Sequence, residues 1–517
     1  MQNIHILWAD DEIELLKPHI LFLESKGYQV TTVNNGLDAV ESITGSRFDL
    51  VFLDENMPGV SGLDALNQIK ELREDLPVVM ITKSEEEQIM EDAIGSKIED
   101  YLIKPVNPKQ ILMSIKKIVD NKRLVTEKVT SKYQQEFRNI MMALMENLDW
   151  ESWKSIYKKL VYYELEIQRS NETGMEEVLQ TQKHETNREF AKYIEKNYIR
   201  FLDYDNKEAP TMSHTLMNRR IVPQMGNEPV FLILIDNLRF DQWRFIQPLI
   251  SELFRVEDED MYLSLLPTTT QYCRNALFAG LLPSDIEKRF PKKWSNDEEE
   301  GGKNLHEEFF LKDLLQRLRV NNVKTSYTKI VHLGQGKDLV DDIPNMFDND
   351  LNAIVYNFVD TLSHARTDYK VMRELAEDEA AYRSLTLSWF EHSPLYEALK
   401  RISEKKAKVI ITTDHGSVKV TDPVKVIGDK KTTTNLRYKT GRNLDFNPKE
   451  VFHIKDPSKA GLPTQHLSSN FIFCRNSDFF VYPNNLNHYA KYYRDTIQHG
   501  GISVEEMMVP LITLSSK

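Results

Sequence analysis

The sequence predicts an α/β protein in three parts: a doubly wound N-terminal domain over residues 1–120, an α-helical bundle and linker over 121–215, and a larger α/β domain over 216–517. Two patterns carry this expectation. Short apolar, β-branched runs that stop abruptly at an acid recur in the first and last parts at helix-length spacing, the pattern of buried parallel strands. Between those parts, Lys122 to Lys196 has almost no Gly or Pro, is rich in Glu, Lys, Gln and Leu, and repeats apolar residues every three or four positions.

Composition narrows the function classes. A chain of 517 residues has room for two to four domains, and 41% hydrophobic with 28% charged residues is a globular balance. A net charge of −13 argues against sequence-independent DNA binding, which depends on phosphate neutralisation. With only Cys273 and Cys474, no run near 18 apolar residues and no signal-peptide pattern, a cytoplasmic protein without disulfides or a membrane span is expected.

In the first part, His5 to Ala9 reads as a strand ending in Asp10-Asp11-Glu12, and Phe48 to Leu53 as one ending in Asp54. Val78 to Ile81 ends in Thr82, and Asp100 to Ile103 ends in Lys104-Pro105. Acids, a hydroxyl and a lysine thus meet at one rim. Paired acids hold Mg²⁺, a third carboxylate attacks phosphorus, and Thr and Lys receive the product. The set Asp10-Asp11, Asp54-x-x-Met57-Pro58-Gly59, Thr82 and Lys104-Pro105 closely resembles the flavodoxin-like receiver domain of two-component response regulators. That resemblance implies that Asp54 accepts phosphate from a sensor histidine kinase, with Mg²⁺ held by Asp10, Asp11, Asp54 and the backbone carbonyl of Asn56. It also implies switch roles for Thr82, Tyr101 and Lys104, and a cis Lys104–Pro105 bond.

The middle part reads as several helices, with Phe137, Ile140, Met141, Leu144 and Leu148 on one face. Trp150, Trp153, Tyr157, Tyr162 and Tyr163 suit the packing of a small bundle. No helix-turn-helix with a basic recognition helix is present, so no direct DNA-binding domain is expected. Asp203 to Asn227, rich in Asp, Asn, Pro and Gly, reads as a linker.

The last part supplies three further strand ends. Val230 to Asp236, Ala353 to Asp360 and Lys408 to Gly416 are apolar runs closing on Asp236, Asp360 and Asp414-His415. Asp360 and His364 form D-x-x-x-H, and His499 precedes two glycines. Three acids and three histidines suit two Zn²⁺-like ions. Thr268-Thr269-Thr270 lies at a loop-to-helix junction, where a hydroxyl either caps the helix or, beside a metal, becomes a nucleophile.

These residues resemble the alkaline phosphatase superfamily, specifically its PglZ-type branch. The resemblance implies one zinc on Asp360, His364 and His499, and another on Asp236, Asp414 and His415. Thr270 becomes the nucleophile at the second ion, with Thr268 and Thr269 still open, and Arg274 and Asn275 contact a non-bridging oxygen. Cys273 lacks a sulfatase frame and reads as packing. Without a recognisable third metal site, a phosphodiester substrate is expected, with Arg437, Tyr438, Lys439 and Arg442 either touching nucleotide or forming a solvated loop. The other histidines, among them His184, His214 and His466, read as structural or exposed.

The three-part architecture as a whole resembles a response-regulator family associated with type IX protein secretion. It implies secretion-system components and a sigma factor as partners, and a homodimer on phosphorylation. The expected function is a response regulator whose output is a zinc-dependent phosphodiesterase acting on cyclic or short linear oligonucleotides. The alternative is a phosphorylation-dependent signalling adaptor with a structural zinc site.

Overall fold

Two units with separate cores make up the chain, Met1–Gln134 and Gln135–Lys517. The structure, a computed structural model, describes residues 4–73, 76–83, 98–170, 173–226, 228–297, 299, 301–320, 322–376, 378–429, 432–464 and 469–517. His466 lies outside the described residues.

The first unit is a five-stranded parallel sheet in the order β2-β1-β3-β4-β5, from β1 (His5–Ala9), β2 (Gln29–Val33), β3 (Leu50–Asp54), β4 (Val78–Thr82) and β5 (Asp100–Ile103). Alternate residues feed opposite faces. Leu7, Ala9, Val51, Leu53 and Met80 join one core, and Ile6, Trp8, Leu50, Phe52 and Ile81 the other. Continuous burial on both faces is why β3 reads as an unbroken apolar run. The edge strand β2, Gln-Val-Thr-Thr-Val, keeps every residue partly or fully exposed and so carried no such signal. The Lys104–Pro105 bond is cis, as the receiver resemblance implies.

In the second unit a six-stranded sheet runs β7, the terminal strand Met508–Ser516, β10, β6, β9, β8. Four strands are parallel: β6 (Val230–Ile235), β8 (Thr325–Ile330), β9 (Leu351–Tyr356) and β10 (Lys408–Thr412). The terminal strand is antiparallel to both β10 and β7 (Phe254–Leu263). Register aligns Leu234 with Thr412 and Ile235 with Tyr356, so the residues that follow β6, β9 and β10 emerge at one level. That level is the carboxyl edge of a parallel sheet, where such folds hold ligands.

The helices Trp150–Ser170 and Thr173–Phe201 are integrated with this sheet. Trp153 packs on Phe190 at 5.2 Å, Tyr198 Oη accepts from Leu266 N at 2.8 Å, and Lys154 Nζ is 2.6 Å from Asp260. The stretch 203–226 is no free linker either. Met212, Leu216, Met217 and Ile221 are fully buried, and their helical spacing is hidden in the sequence by surrounding polar and turn-forming residues. Among the described residues no helix is long and apolar enough to cross a membrane.

Candidate metal and phosphoryl-transfer sites

Three carboxylates meet at the carboxyl edge of the first sheet. Asp10 and Asp54 are buried and Asp11 is exposed, with one oxygen of each within 4.8 Å of the others. Lys104 Nζ lies 2.8 Å from Asp10 Oδ2 and 3.0 Å from Asp54 Oδ2. Burial pushes the Asp54 carboxyl up to about 6, against the pull of Lys104. Asp54 Oδ1 is buried without a hydrogen-bond partner, an orphaned acceptor aimed where a hard cation fits an all-oxygen set. Thr82 is buried at the end of β4 and hydrogen-bonds Tyr101, which is partly buried against the core. Asn56 sits exposed two residues beyond β3.

The second site assembles at the carboxyl ends of β6, β9 and β10. Asp236 follows β6, Asp414 and His415 follow β10, and these three, all buried, form one cluster of potential ligand atoms within 4.8 Å. Asp360 and His499 join His415 in a second cluster, so His415 stands between the two. His415 and His499 stack with ring centroids 4.4 Å apart. His364 reaches Asp360 at 3.5 Å but its side chain is 62% exposed, placing it at the open mouth of the site. Both inner imidazoles are oriented by backbone carbonyls: His415 Nδ1 meets Gly416 O at 3.0 Å and His499 Nδ1 meets Thr268 O at 3.1 Å. Each Nε2 is thereby left as the nitrogen that faces the acids, 3.6 Å from Asp236 for His415 and 3.6 Å from Asp360 for His499.

The charge balance invites cations. Burial, reinforced by Asp236, pushes the Asp414 carboxyl up to about 7, and burial also raises Asp360. Against burial, Arg274 and His415 hold Asp236 below the usual carboxylate range. Burial, helped by His415, keeps the His499 imidazole well below its ordinary value and so neutral. Asp414 Oδ2 is buried without a hydrogen-bond partner, with Arg274 Nε 3.8 Å away. Three crowded carboxylates, neutral imidazole and an orphaned oxygen are a donor set that fits borderline divalent metals.

Thr270 opens the helix Thr270–Ala279, and its Oγ1 lies 3.3 Å from Asp236 Oδ1 and 3.2 Å from His415 Nε2. Thr268 is turned elsewhere, donating to Gly501 O at 3.1 Å and accepting from Gly500 N at 2.9 Å. Thr269 is buried with an unpartnered hydroxyl.

Several expected contacts fall elsewhere. Arg274, 1% exposed, donates to Asp236 Oδ2 at 3.0 Å and to Asn357 at 3.1 Å, and pairs with Glu307 at 2.8 Å, so it is committed to Asp236 rather than to open space. Asn275 is equally buried and donates to the carbonyls of Gln271 and Lys303. Arg437, Tyr438 and Lys439 are neither a nucleotide wall nor a solvated loop. Arg437 is fully buried against Glu506 at 2.6 Å, Tyr438 donates to Asp297 at 3.0 Å, and Lys439 donates to Thr433 O at 2.7 Å. Only Arg442 of the four is exposed. Cys273 is packing, taking a hydrogen bond from Ser264 Oγ at 3.1 Å.

Glu307 was not anticipated. It buttresses Arg274 and takes hydrogen bonds from Tyr327 at 2.9 Å and Lys329 at 3.1 Å. Nothing in its surroundings Leu305-His306-Glu307-Glu308 marks it, since its partners are distant in sequence. Asn237 was also missed; it adopts φ +65° and its Nδ2 lies 3.3 Å from Asp360 Oδ1. Its one legible signal was an Asn directly after a strand-end Asp, a residue type that tolerates the left-handed region.

Comparison with known proteins fits this geometry. Residues 216–514, more than half of the chain, match the family described as the BREX system PglZ alkaline phosphatase-like domain. The chain belongs to the PglZ alkaline phosphatase-like family. Ahead of the PglZ domain, residues 6–116 match the response regulator receiver domain and residues 123–202 the PorX response regulator linker domain, giving a PorX-type order of domains. The receiver implies a phosphodonor such as a histidine kinase. Curated relatives include the transcriptional regulatory protein ZraR of Klebsiella oxytoca, 30% identical over 28% of this chain and 34% of its own. Another is the response regulator SaeR of Staphylococcus epidermidis, 32% identical over 21% of this chain and 47% of its own. The chain thus spans a third to a half of the length of these relatives. Solved structures include a response regulator receiver domain protein from Clostridium thermocellum, 28% identical, covering 23% of this chain and 98% of that one, TM-score 0.23. A two-component response regulator from Clostridium difficile is also 28% identical over 23% and 96%, TM-score 0.22.

Proposed function

We propose that this response regulator is phosphorylated on Asp54 and that its PglZ domain is a zinc-dependent phosphodiesterase with Thr270 as nucleophile. The observation that carries this is Thr270 Oγ1, 3.3 Å from Asp236 and 3.2 Å from His415, at the rim of two carboxylate–imidazole clusters. Asp236, Asp414 and His415 would hold one ion, and Asp360, His364 and His499 the other. Bound there, two divalent ions supply Lewis acidity and countercharge at phosphorus.

The chain's own residues do the rest. Thr270 Oγ1 gives up its proton and bonds to phosphorus as one ester oxygen leaves and is protonated to the alcohol, giving a threonyl phosphodiester that keeps the second ester; water then attacks phosphorus, returns a proton to Thr270 Oγ1 and releases a phosphomonoester. The N-terminal end of the helix that Thr270 opens would favour the anionic phosphoryl oxygens. Arg274 keeps Asp236 ionised, and Glu307 keeps Arg274 in place.

A signalling nucleotide, cyclic or short and linear, is the substrate class that best suits a receiver-controlled output. The PorX-type order of domains supports a role in type IX secretion, with secretion components, a sigma factor and phosphorylation-dependent homodimerisation following from that architecture. Purified, zinc-loaded protein is expected to cleave bis(p-nitrophenyl) phosphate in preference to p-nitrophenyl phosphate. Thr270→Ala should lower that rate by at least about a thousandfold. Stoichiometric zinc with neither ester cleaved would replace this reading with a signalling adaptor built on a structural zinc site.

A further inference from the structure

A helix outside the PglZ match contacts the segment behind the candidate metal site. Asn187, 5% exposed, lies on the helix Thr173–Phe201, within the linker-family match. Its Nδ2 donates to Glu505 Oε2 at 2.9 Å and its Oδ1 accepts from Val504 N at 2.7 Å, so one carboxamide grips two successive residues more than 300 positions away. Lys183, one turn earlier, stands 3.7 Å from the other oxygen of Glu505.

From residues 504–506 two short paths lead to the ligand histidines. The Glu506 carbonyl accepts from Gly416 N at 3.0 Å, and the Gly416 carbonyl meets His415 Nδ1 at 3.0 Å. The Glu506 carboxylate accepts from Gly501 N at 2.9 Å and lies 3.4 Å from Thr268 Oγ1, while the Thr268 carbonyl meets His499 Nδ1 at 3.1 Å. Both paths end on an Nδ1, and so both decide which nitrogen faces the acids.

We infer that Asn187 is a positioning residue for the metal site: its carboxamide fixes the segment from which the rings of His415 and His499 are oriented. It touches none of the cluster residues. Nor is it needed to dock its helix. Lys183 reaches Glu164 at 3.0 Å, and Arg383 joins Glu164 and Asp241, each at 2.9 Å, so the helical segment is tied down independently. The PglZ domain would therefore borrow part of its outer ligand support from the segment that follows the receiver, which places that segment where a signal could alter metal affinity.

This rests on reading the clusters as metal sites, and the test separates the two. Zn²⁺ affinity of the full-length chain is measured by competition with a chromophoric chelator, with circular dichroism to confirm folding. Asn187→Ala and the isosteric Asn187→Asp should each weaken at least one site by about tenfold or more, the scale of lost outer-shell support. Gln168→Ala, which removes the acceptor of an Arg383 hydrogen bond on the neighbouring helix Trp150–Ser170, should stay within about twofold. Asn187→Asp combined with Glu505→Gln reverses the polarity of the pair at constant charge and should recover the loss. Folded Asn187→Asp protein with wild-type affinity, or a double variant no tighter than Asn187→Asp, would overturn the inference while leaving the phosphodiesterase reading intact. A wild-type chain that binds no zinc removes both.

Discussion

Thr268, Thr269 and Thr270 look interchangeable in the sequence, and only tertiary geometry separates them. Thr270 faces Asp236 and His415, whereas Thr268 is spent on the Gly500–Gly501 turn. The same holds for charge: Arg274 and Arg437 were legible as basic residues but not as buried partners of Glu307 and Glu506, because those acids lie 33 and 69 positions away and obey no period. The sequence leaves His214 either structural or exposed; it is buried, 5.0 Å edge-on to Tyr204. Burial pushes its imidazole down to about 3. Since the unfolded chain protonates near 6.5, it binds the extra proton between pH 6.5 and about 3, so stability contributed by neutral His214 is present above pH 6.5 and lost as pH falls. Chelator-treated wild type should therefore lose up to about 1.4 kcal/mol per pH unit relative to His214→Gln between pH 6 and 4. Urea unfolding at several pH values measures the difference; parallel curves would show that His214 is protonated in the folded state.

At the level of elements, legibility followed burial. β3, β6, β9 and β10 are nearly or fully buried along their lengths, so each appears in the sequence as an apolar run, and the acid that ends it marks the rim. β7, Phe-Arg-Val-Glu-Asp-Glu-Asp-Met-Tyr-Leu, and β8 are half exposed at the sheet margins and resemble loops in composition. The turn after β10 shows why a glycine belongs there. A Cβ at Gly416 would sit 2.0 Å from the Glu505 carbonyl oxygen, a contact that backbone cannot relieve without shifting residues 504–506. Gly416→Ala should thus cost about 2 kcal/mol in stability and also weaken zinc, because the displaced Glu506 is hydrogen-bonded to the turns that follow His415 and His499. Denaturant titration with chelator present and zinc competition without it measure the two effects. Loss of stability with unchanged zinc affinity would mean that the turn relaxes away from the histidines.

For the molecule as a whole, the two units repeat one device, neighbouring parallel strands with acids at their carboxyl ends, offering oxygen donors alone in one case and mixed nitrogen and oxygen donors in the other. The sequence divides by composition into three parts, yet the helical part closes onto the PglZ sheet through Tyr198, Lys154 and Asn187, contacts that no local pattern announces. Met1–Gln134 and Gln135–Lys517 each own a core and at least one cluster of candidate metal-binding groups. Ligands that bind only the folded state of one unit stabilise that unit, by about 2.7 kcal/mol at a hundredfold excess over Kd. Mg²⁺ with beryllofluoride, which mimics a phosphorylated carboxylate, should raise the unfolding temperature of the receiver by several degrees and lose that effect in Asp54→Asn. Zinc should raise the other transition, and Asp414→Asn, which removes a ligand while keeping the volume, should cancel that rise without touching the receiver's. Scanning calorimetry reads both transitions in one chain. Two peaks that answer to separate ligands would establish two independently stabilised sites, whereas a single peak moved by either ligand would show that occupancy of the receiver and of the metal clusters is thermodynamically linked, with the Asn187 helix as the first place to look for the link.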